Sequence, residues 1–172
     1  AGAGLTAGVA VVLGIANVLA DGFSMAVSNY LKTKSDHDLV AKARRTEEHH
    51  IDTIPHGERE EVRQIFKAKG FEGDVLENIT DTITQNRKIW VDTMLTDELG
   101  LQLDLPSPIK AGMTTFTSFL LAGFIPILPM FLANVLPPTT TFAISAVLTG
   151  IVFAGIGLLK GHVTHMPLIR SM

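Results

Sequence analysis

From Ala111 to Leu159 the chain runs for 49 residues without one charged side chain. A helix rising about 1.5 Å per residue needs roughly 20 apolar residues to cross a bilayer core. This stretch is therefore long enough to cross twice, and Pro137-Pro138 marks the turn, because proline ends helices. Residues 5–31 carry a single charge, Asp21, and are long enough to cross once. Of the 31 charged side chains, 28 lie between Lys32 and Lys110. No strand-like alternation competes. The expected fold is all-α: membrane helices with an inserted polar helical domain.

The expected segments are a transmembrane helix at 1–31, a polar domain at 32–110, transmembrane helices at 111–136 and 139–160, and a tail or link at 161–172. The first span has no basic n-region, and its apolar run is too long for a signal peptide. The polar domain carries 12 Lys and Arg and the Pro137-Pro138 turn carries none, so the positive-inside rule makes residues 32–110 cytoplasmic. Lys160 and Arg170 then fall on the same side. Ala1 falls on the opposite face without an initiator Met, so the chain reads as a fragment, with a helix expected upstream and a second cut at Met172. A net charge of -3 offers no broad basic field for nucleic acid. The absence of cysteine removes disulfides, thiolate zinc sites and cysteine nucleophiles.

The polar residues of the first span are patterned. Asn17, Asp21, Ser24 and Ser28 follow i, i+4, i+7, i+11 and share one helical face, with Met25 one turn from Asp21. A carboxylate near mid-membrane costs at least about 2.5–3.5 kcal/mol unless it faces a polar cavity or a partner. The stripe fits an ion or proton pathway, with the Met25 thioether as a soft metal ligand. It fits a polar helix–helix contact equally well. Gly4-x-x-x-Gly8 and Gly157-x-x-x-Gly161 have close-packing spacing, and Pro126 and Pro129 should bend the second span. Gly2-Ala-Gly4 follows no strand, so it is no nucleotide fingerprint.

Three helices are expected in the polar domain. The first runs from about Ser35, a candidate N-cap, to His50, and Pro55 ends it. The second runs from about Gly57 to Lys69, closed by Gly70. The third runs from Asp74 to Leu99 with a break near Asn86, burying Val75, Ile79, Ile83, Trp90 and Leu95. Metal-ligand residue types recur at helical spacing. Glu47 and His50 are i, i+3, as are Glu58 and Glu61, and Met94 and Glu98 are i, i+4. Oxygen and imidazole donors with one thioether suit Fe(II), Mn(II), Co(II) or Zn(II) better than Ca(II). Each pair alone is also ordinary helix surface or core. With no nucleophile–base pair and no cofactor motif, the chain does not read as an enzyme.

Six stretches together resemble the vacuolar iron transporter family, which includes the yeast vacuolar and nodulin-like members. Gly14-Ile-Ala-Asn-Val-Leu-Ala-Asp-Gly-Phe-Ser-Met-Ala-Val-Ser-Asn-Tyr-Leu-Lys-Thr-Lys-Ser35 is similar to the family's second transmembrane helix. Glu47-Glu-His-His50, Glu58-Arg-Glu-Glu61, Lys69-Gly-Phe71 and Trp90-Val-Asp-Thr-Met94-Leu-Thr-Asp-Glu98-Leu-Gly100 resemble the cytoplasmic metal-binding domain of bacterial-type members. Phe124-Ile-Pro-Ile-Leu-Pro129 resembles the third helix. The resemblance covers nearly the whole chain and implies helices two, three and four of a five-helix subunit that works as a homodimer in the lipid bilayer.

The resemblance further implies export of Fe(II), and often Mn(II), from the cytoplasm in exchange for protons, with the metal as substrate and no tightly bound cofactor. It implies metal-binding roles for Glu47, His50, Glu58, Glu61, Met94 and Glu98, and a translocation path at Asn17, Asp21, Ser24 and Met25. The family often has Glu at the position of Asn17, and its plant-type pattern has Glu at the position of His50. Asn17 offers an oxygen ligand without a titratable proton, which Asp21 supplies one turn along. His50 remains a competent ligand. The expected membrane is a bacterial inner membrane, or a vacuolar or other organelle membrane in a eukaryote. The rival expectation is a membrane-anchored metal-sensing or assembly protein that transports nothing.

Overall fold

A computed structural model describes residues 7–133 and 135–164. The expectations resting on Gly2, Gly4, Arg170 and Met172 lie outside the described residues. Among the described residues six α-helices follow in chain order: α1 (Ala7–Thr53), α2 (Pro55–Ala68), α3 (Gly73–Thr84), α4 (Arg87–Thr93), α5 (Pro108–Phe124) and α6 (Pro138–Thr164). A π turn, Met94–Glu98, continues α4, and a 3-10 segment, Ile125–Leu132, continues α5. Among the described residues there is no strand, and three helices are long and apolar enough to cross a membrane. The chain divides into two compact units, one of residues 1–30 with 109–172 and one of residues 31–108.

α1 corrects the expected helix start at Ser35. No Gly or Pro stands between Phe23 and Ile54, and residues 32–53 are rich in Ala, Leu, Lys, Arg and Glu, all good helix formers. Nothing stops the helix, so it runs unbroken from Ala7 to Thr53. At 47 residues it is about 70 Å long, more than twice a bilayer core. It ends where Pro55 becomes the first residue of α2.

In the first unit, α1 and the α5 region pack through glycines on alternate helices. A Cβ on Gly123 would lie 3.0 Å from Val18, and one on Gly112 would lie 3.1 Å from the Ala26 carbonyl oxygen. Gly14 sits against Ile127, and Gly22 against Phe116 and Phe119. The packed face of α1 is thus Gly14, Val18, Gly22, Ala26 and Tyr30, each four residues from the last. These glycines, rather than Gly8, set the close approach: a Cβ on Gly8 would meet nothing within 4 Å. The Asn29 amide adds a polar tie, donating to Thr115 Oγ1 at 2.7 Å and to the Ala111 carbonyl at 3.3 Å.

The two prolines do break the second span. In a 3-10 segment the Pro126 carbonyl would accept from the N–H of residue 129, but Pro129 has none. The Ser145 hydroxyl of α6 donates to that carbonyl at 2.6 Å. A freed backbone group inside an apolar unit therefore regains a donor, the condition under which a membrane helix tolerates a break.

The second unit closes on an apolar core of Ile51, Val62, Trp90, Val91, Met94 and Leu95. α2 stops as expected at Gly70, whose φ of 94° suits glycine. There Phe71 N–H donates to the Phe66 carbonyl at 3.2 Å and Gly70 N–H to that of Lys67 at 3.0 Å. The expected break near Asn86 is real: the Asn86 side chain caps α4 by accepting from Ile89 N–H at 3.2 Å. Of the expected inner face of α3, Ile83 packs against this core, while Val75 and Ile79 are off by one position. Leu76 and Thr80 are buried, while Val75 is exposed and Ile79 half-buried. Val75 and Ile79 are the i, i+4 apolar pair that the sequence offers, yet Leu76 and Thr80 are the buried pair of a helix that packs against α2 and α4.

Candidate metal centre

The last two turns of α1 and the first turn of α2 meet across the Ile54 break. Glu47 and His50 are one turn apart on α1, and Glu58 follows Pro55 by three residues on α2. One ligand atom from each of Glu47, His50 and Glu58 can be chosen so that all three lie within 4.8 Å of one another. His50 Nδ1 lies 3.4 Å from Glu58 Oε1. Glu58 is 1% exposed and Glu47 5%, while His50 is half-buried. The other Glu58 oxygen, Oε2, is buried with no hydrogen-bond partner.

The cluster is anionic and nearly uncompensated. Among the described residues the Lys and Arg ion pairs lead elsewhere. Arg59 and Arg63 reach Glu77, Arg87 reaches Asp52, Arg44 and Lys88 share Asp92, and Lys69 pairs with Asp97. None reaches Glu47, Glu58, Glu61 or Glu98. Burial, first, and then the charges of Glu61, Glu47 and Glu98 push the Glu58 carboxyl from 4.5 up to about 7, against the opposing pull of His50. Glu98 is raised as well, by partial desolvation of its carboxyl and by Glu61 and Glu47. Several carboxylates so placed favour a positive charge among them.

The six metal-binding positions expected from the sequence separate by depth. Glu47 and Glu58 are buried and His50 half-buried; Glu61 and Glu98 are exposed, within electrostatic reach of Glu58. Met94 is fully buried in the apolar core beside Ile51 and Val62. Those two residues stand one turn after Glu47 and Glu58 on their own helices. The π turn widens the backbone between Met94 and Glu98, and Leu99 N–H reaches back to the Met94 carbonyl at 3.1 Å. Gly100, at φ 64°, ends it. Sequence spacing does not reveal the π turn, nor the pins on α1 and α4: Arg87 holds Asp52 and the Glu48 carbonyl, and Arg44 holds Asp92.

In the first unit Asn17, Asp21, Ser24 and Met25 are all exposed and lie off the Gly14–Tyr30 packing face. At 100° per residue the centres of the two faces are roughly a third of a turn apart. The stripe is therefore not the contact between α1 and α5. Ser28 Oγ donates to the Ser24 carbonyl at 2.9 Å, which leaves Asn17 and Asp21 as its most polar side chains.

Comparison with known proteins shows the family. The model of the VIT family matches residues 1–172. The chain is 32% identical to vacuolar iron transporter 1 of Arabidopsis thaliana over 99% of its own length and 68% of the relative's. It is 32% identical to a vacuolar iron transporter of Centaurea cyanus over 95% of its length and 66% of that relative's. A Plasmodium berghei vacuolar iron transporter is 29% identical, over 99% of this chain and 66% of that protein. The chain thus spans about two thirds of the length of these relatives, from its first span through the carboxylate cluster to its last helix, and it belongs to the VIT family.

Proposed function

We propose that this chain is the metal-capturing and pore-lining part of a divalent metal exporter that carries Fe(II), and also Mn(II), out of the cytoplasm in exchange for protons. The observation that carries the proposal is the Glu47–His50–Glu58 cluster, buried and short of positive charge. Glu61 and Glu98 draw a hydrated cation to the rim, and exchange of its water for Glu47, Glu58 and His50 relieves the repulsion between the carboxylates. The metal is substrate, so the centre binds it for release. Membership of a family whose named relatives are vacuolar iron transporters supports the direction of this reading.

The path through the membrane is assigned to Asn17, Asp21, Ser24 and Met25. Their exposure on a helix of membrane-spanning length requires a second polar surface against them, because Asp21 facing lipid costs several kcal/mol. A further helix or a second copy of the chain, in a homodimer, provides that surface. Met25 supplies a soft donor, Asn17 and Ser24 oxygens, and Asp21 the titratable group for proton exchange. Residues 31–108 are assigned to the cytoplasm and the protein to a bacterial inner membrane, or to a vacuolar membrane in a eukaryote.

Uptake of Fe(II) into inside-out membrane vesicles tests the proposal. Vesicles bearing the protein should accumulate metal, and those bearing Met25→Ala or Glu98→Ala should accumulate much less. Equal uptake by the variants contradicts the mechanism. Metal binding without any uptake favours an anchored sensor instead.

A further inference from the structure

We infer that His50 sets the metal preference of the Glu47–His50–Glu58 centre, favouring the later first-row divalent ions over the hard ions Mg2+ and Ca2+. This rests on the reading of the cluster as a divalent-metal centre and deepens it. Glu47, Glu58, Glu61 and Glu98 all offer oxygen, and His50 contributes the one nitrogen of the three side chains that come within 4.8 Å. Mg2+ and Ca2+ are satisfied by oxygen alone, Mg2+ in a strict octahedron and Ca2+ with six to eight oxygens. An imidazole in place of one carboxylate gives both ions a poorer donor. Co(II), Zn(II) and Fe(II) gain from it, and Mn(II) gains least in that series.

The geometry holds the ring in the right place to act as a donor. Nδ1 faces the carboxylates, 3.4 Å from Glu58 Oε1. The His50 backbone is fixed at the end of α1, its carbonyl accepting from Ile54 N–H at 2.7 Å. Arg87 clamps the same turn through Asp52 and the Glu48 carbonyl. The buried Glu58 Oε2, without a partner, is an independent sign that the centre receives a ligand. His50 is half-buried at the side of the centre, so replacing it leaves the apolar core untouched.

The test is calorimetric titration of the whole chain in detergent micelles with Mn(II), Co(II) and Mg(II), for wild type, His50→Glu, His50→Gln and Glu58→Gln. Electron spin-echo spectra of the Mn(II)-loaded protein report directly bound nitrogen. Trp90 fluorescence confirms that each variant keeps its core. The expected result is a Co(II)-to-Mn(II) affinity ratio at least about tenfold higher in wild type than in His50→Glu or His50→Gln. Mg(II) binding should strengthen in His50→Glu, and nitrogen modulation should be present in wild type and lost in both His50 variants. Unchanged ratios with tight Mn(II) binding and no nitrogen modulation in wild type overturn the inference and leave the metal centre standing. Wild type that binds none of the ions, or Glu58→Gln that binds them as wild type does, overturns the centre and the inference together.

Discussion

Glu58→Gln should stabilise the metal-free polar unit at pH 8 and leave it unchanged at pH 4.5. The wild-type carboxyl is 1% exposed, has an unpartnered oxygen and is pushed from 4.5 up to about 7. A carboxyl whose folded pKa lies above its unfolded value holds its proton more tightly when folded. Folding stability is therefore greatest below pH 4.5 and declines as pH rises towards 7. A displacement of about 2.5 units at ~1.36 kcal/mol each amounts to about 3 kcal/mol lost by pH 8. Glutamine keeps the shape and removes the charge, so it should recover most of that. Trp90 is the only tryptophan and lies in the core of the same unit, so its fluorescence reports this unit's unfolding in urea. With m of about 1–3 kcal/mol per molar, the midpoint at pH 8 should rise by ~1–3 M in the variant. Saturating Mn(II) should reverse the order, because only the carboxylate gains from the cation. Equal midpoints at pH 8 without metal would refute the claim that this carboxylate is destabilising.

Other substitutions probe the rest of the account. Met94→Leu should cost less than about 1.5 kcal/mol while Met94→Ala costs about 2–5 kcal/mol in the same urea assay, because the residue fills the core. A drop in Co(II) affinity in Met94→Leu, where packing is conserved, would mark the thioether as a ligand. Gly112→Leu should disrupt α1–α5 packing through its clash with the Ala26 carbonyl, read as a lower melting temperature of the protein in detergent. Gly8→Leu, with open space around its Cβ position, should leave that temperature unchanged. Ser145→Ala removes the donor to the Pro126 carbonyl and should lower the same temperature, by the equivalent of roughly 1 kcal/mol. Arg59→Ala, at an exposed ion pair with Glu77 and Asp81, should leave both stability and metal affinity near wild type.

Much of the scaffold is legible from residue type alone, because single residues decide it. Charge-free runs fix the spans, Pro55 and Pro138 begin helices, Gly70 and Gly100 end them, and Asn86 caps one. Ser35 misled because a good capping residue starts a helix only where the preceding chain is not already helical. The glycines that matter for packing could not be ranked, since Gly4-x-x-x-Gly8 spacing says nothing of what faces each glycine. At the site, i, i+3 spacing pairs Glu47 with His50, but the approach of Glu58 depends on the turn at Ile54 and on where α2 then lies. That turn is tertiary information. The depth of each ligand type was equally hidden: Glu58 and Glu61 are equivalent in the sequence, yet one is sealed in and the other exposed.

The central claim is that a divalent cation completes an anionic centre at Glu47, His50 and Glu58, and infrared difference spectroscopy tests it most directly. At pH 6, below its folded pKa of about 7, Glu58 in the metal-free protein is mostly protonated. Adding Mn(II) should remove one protonated-carboxyl band and add a metal-bound carboxylate band, and Glu58→Gln should show neither change. Tight Mn(II) binding with both bands unaltered in wild type would place the metal elsewhere and contradict the account.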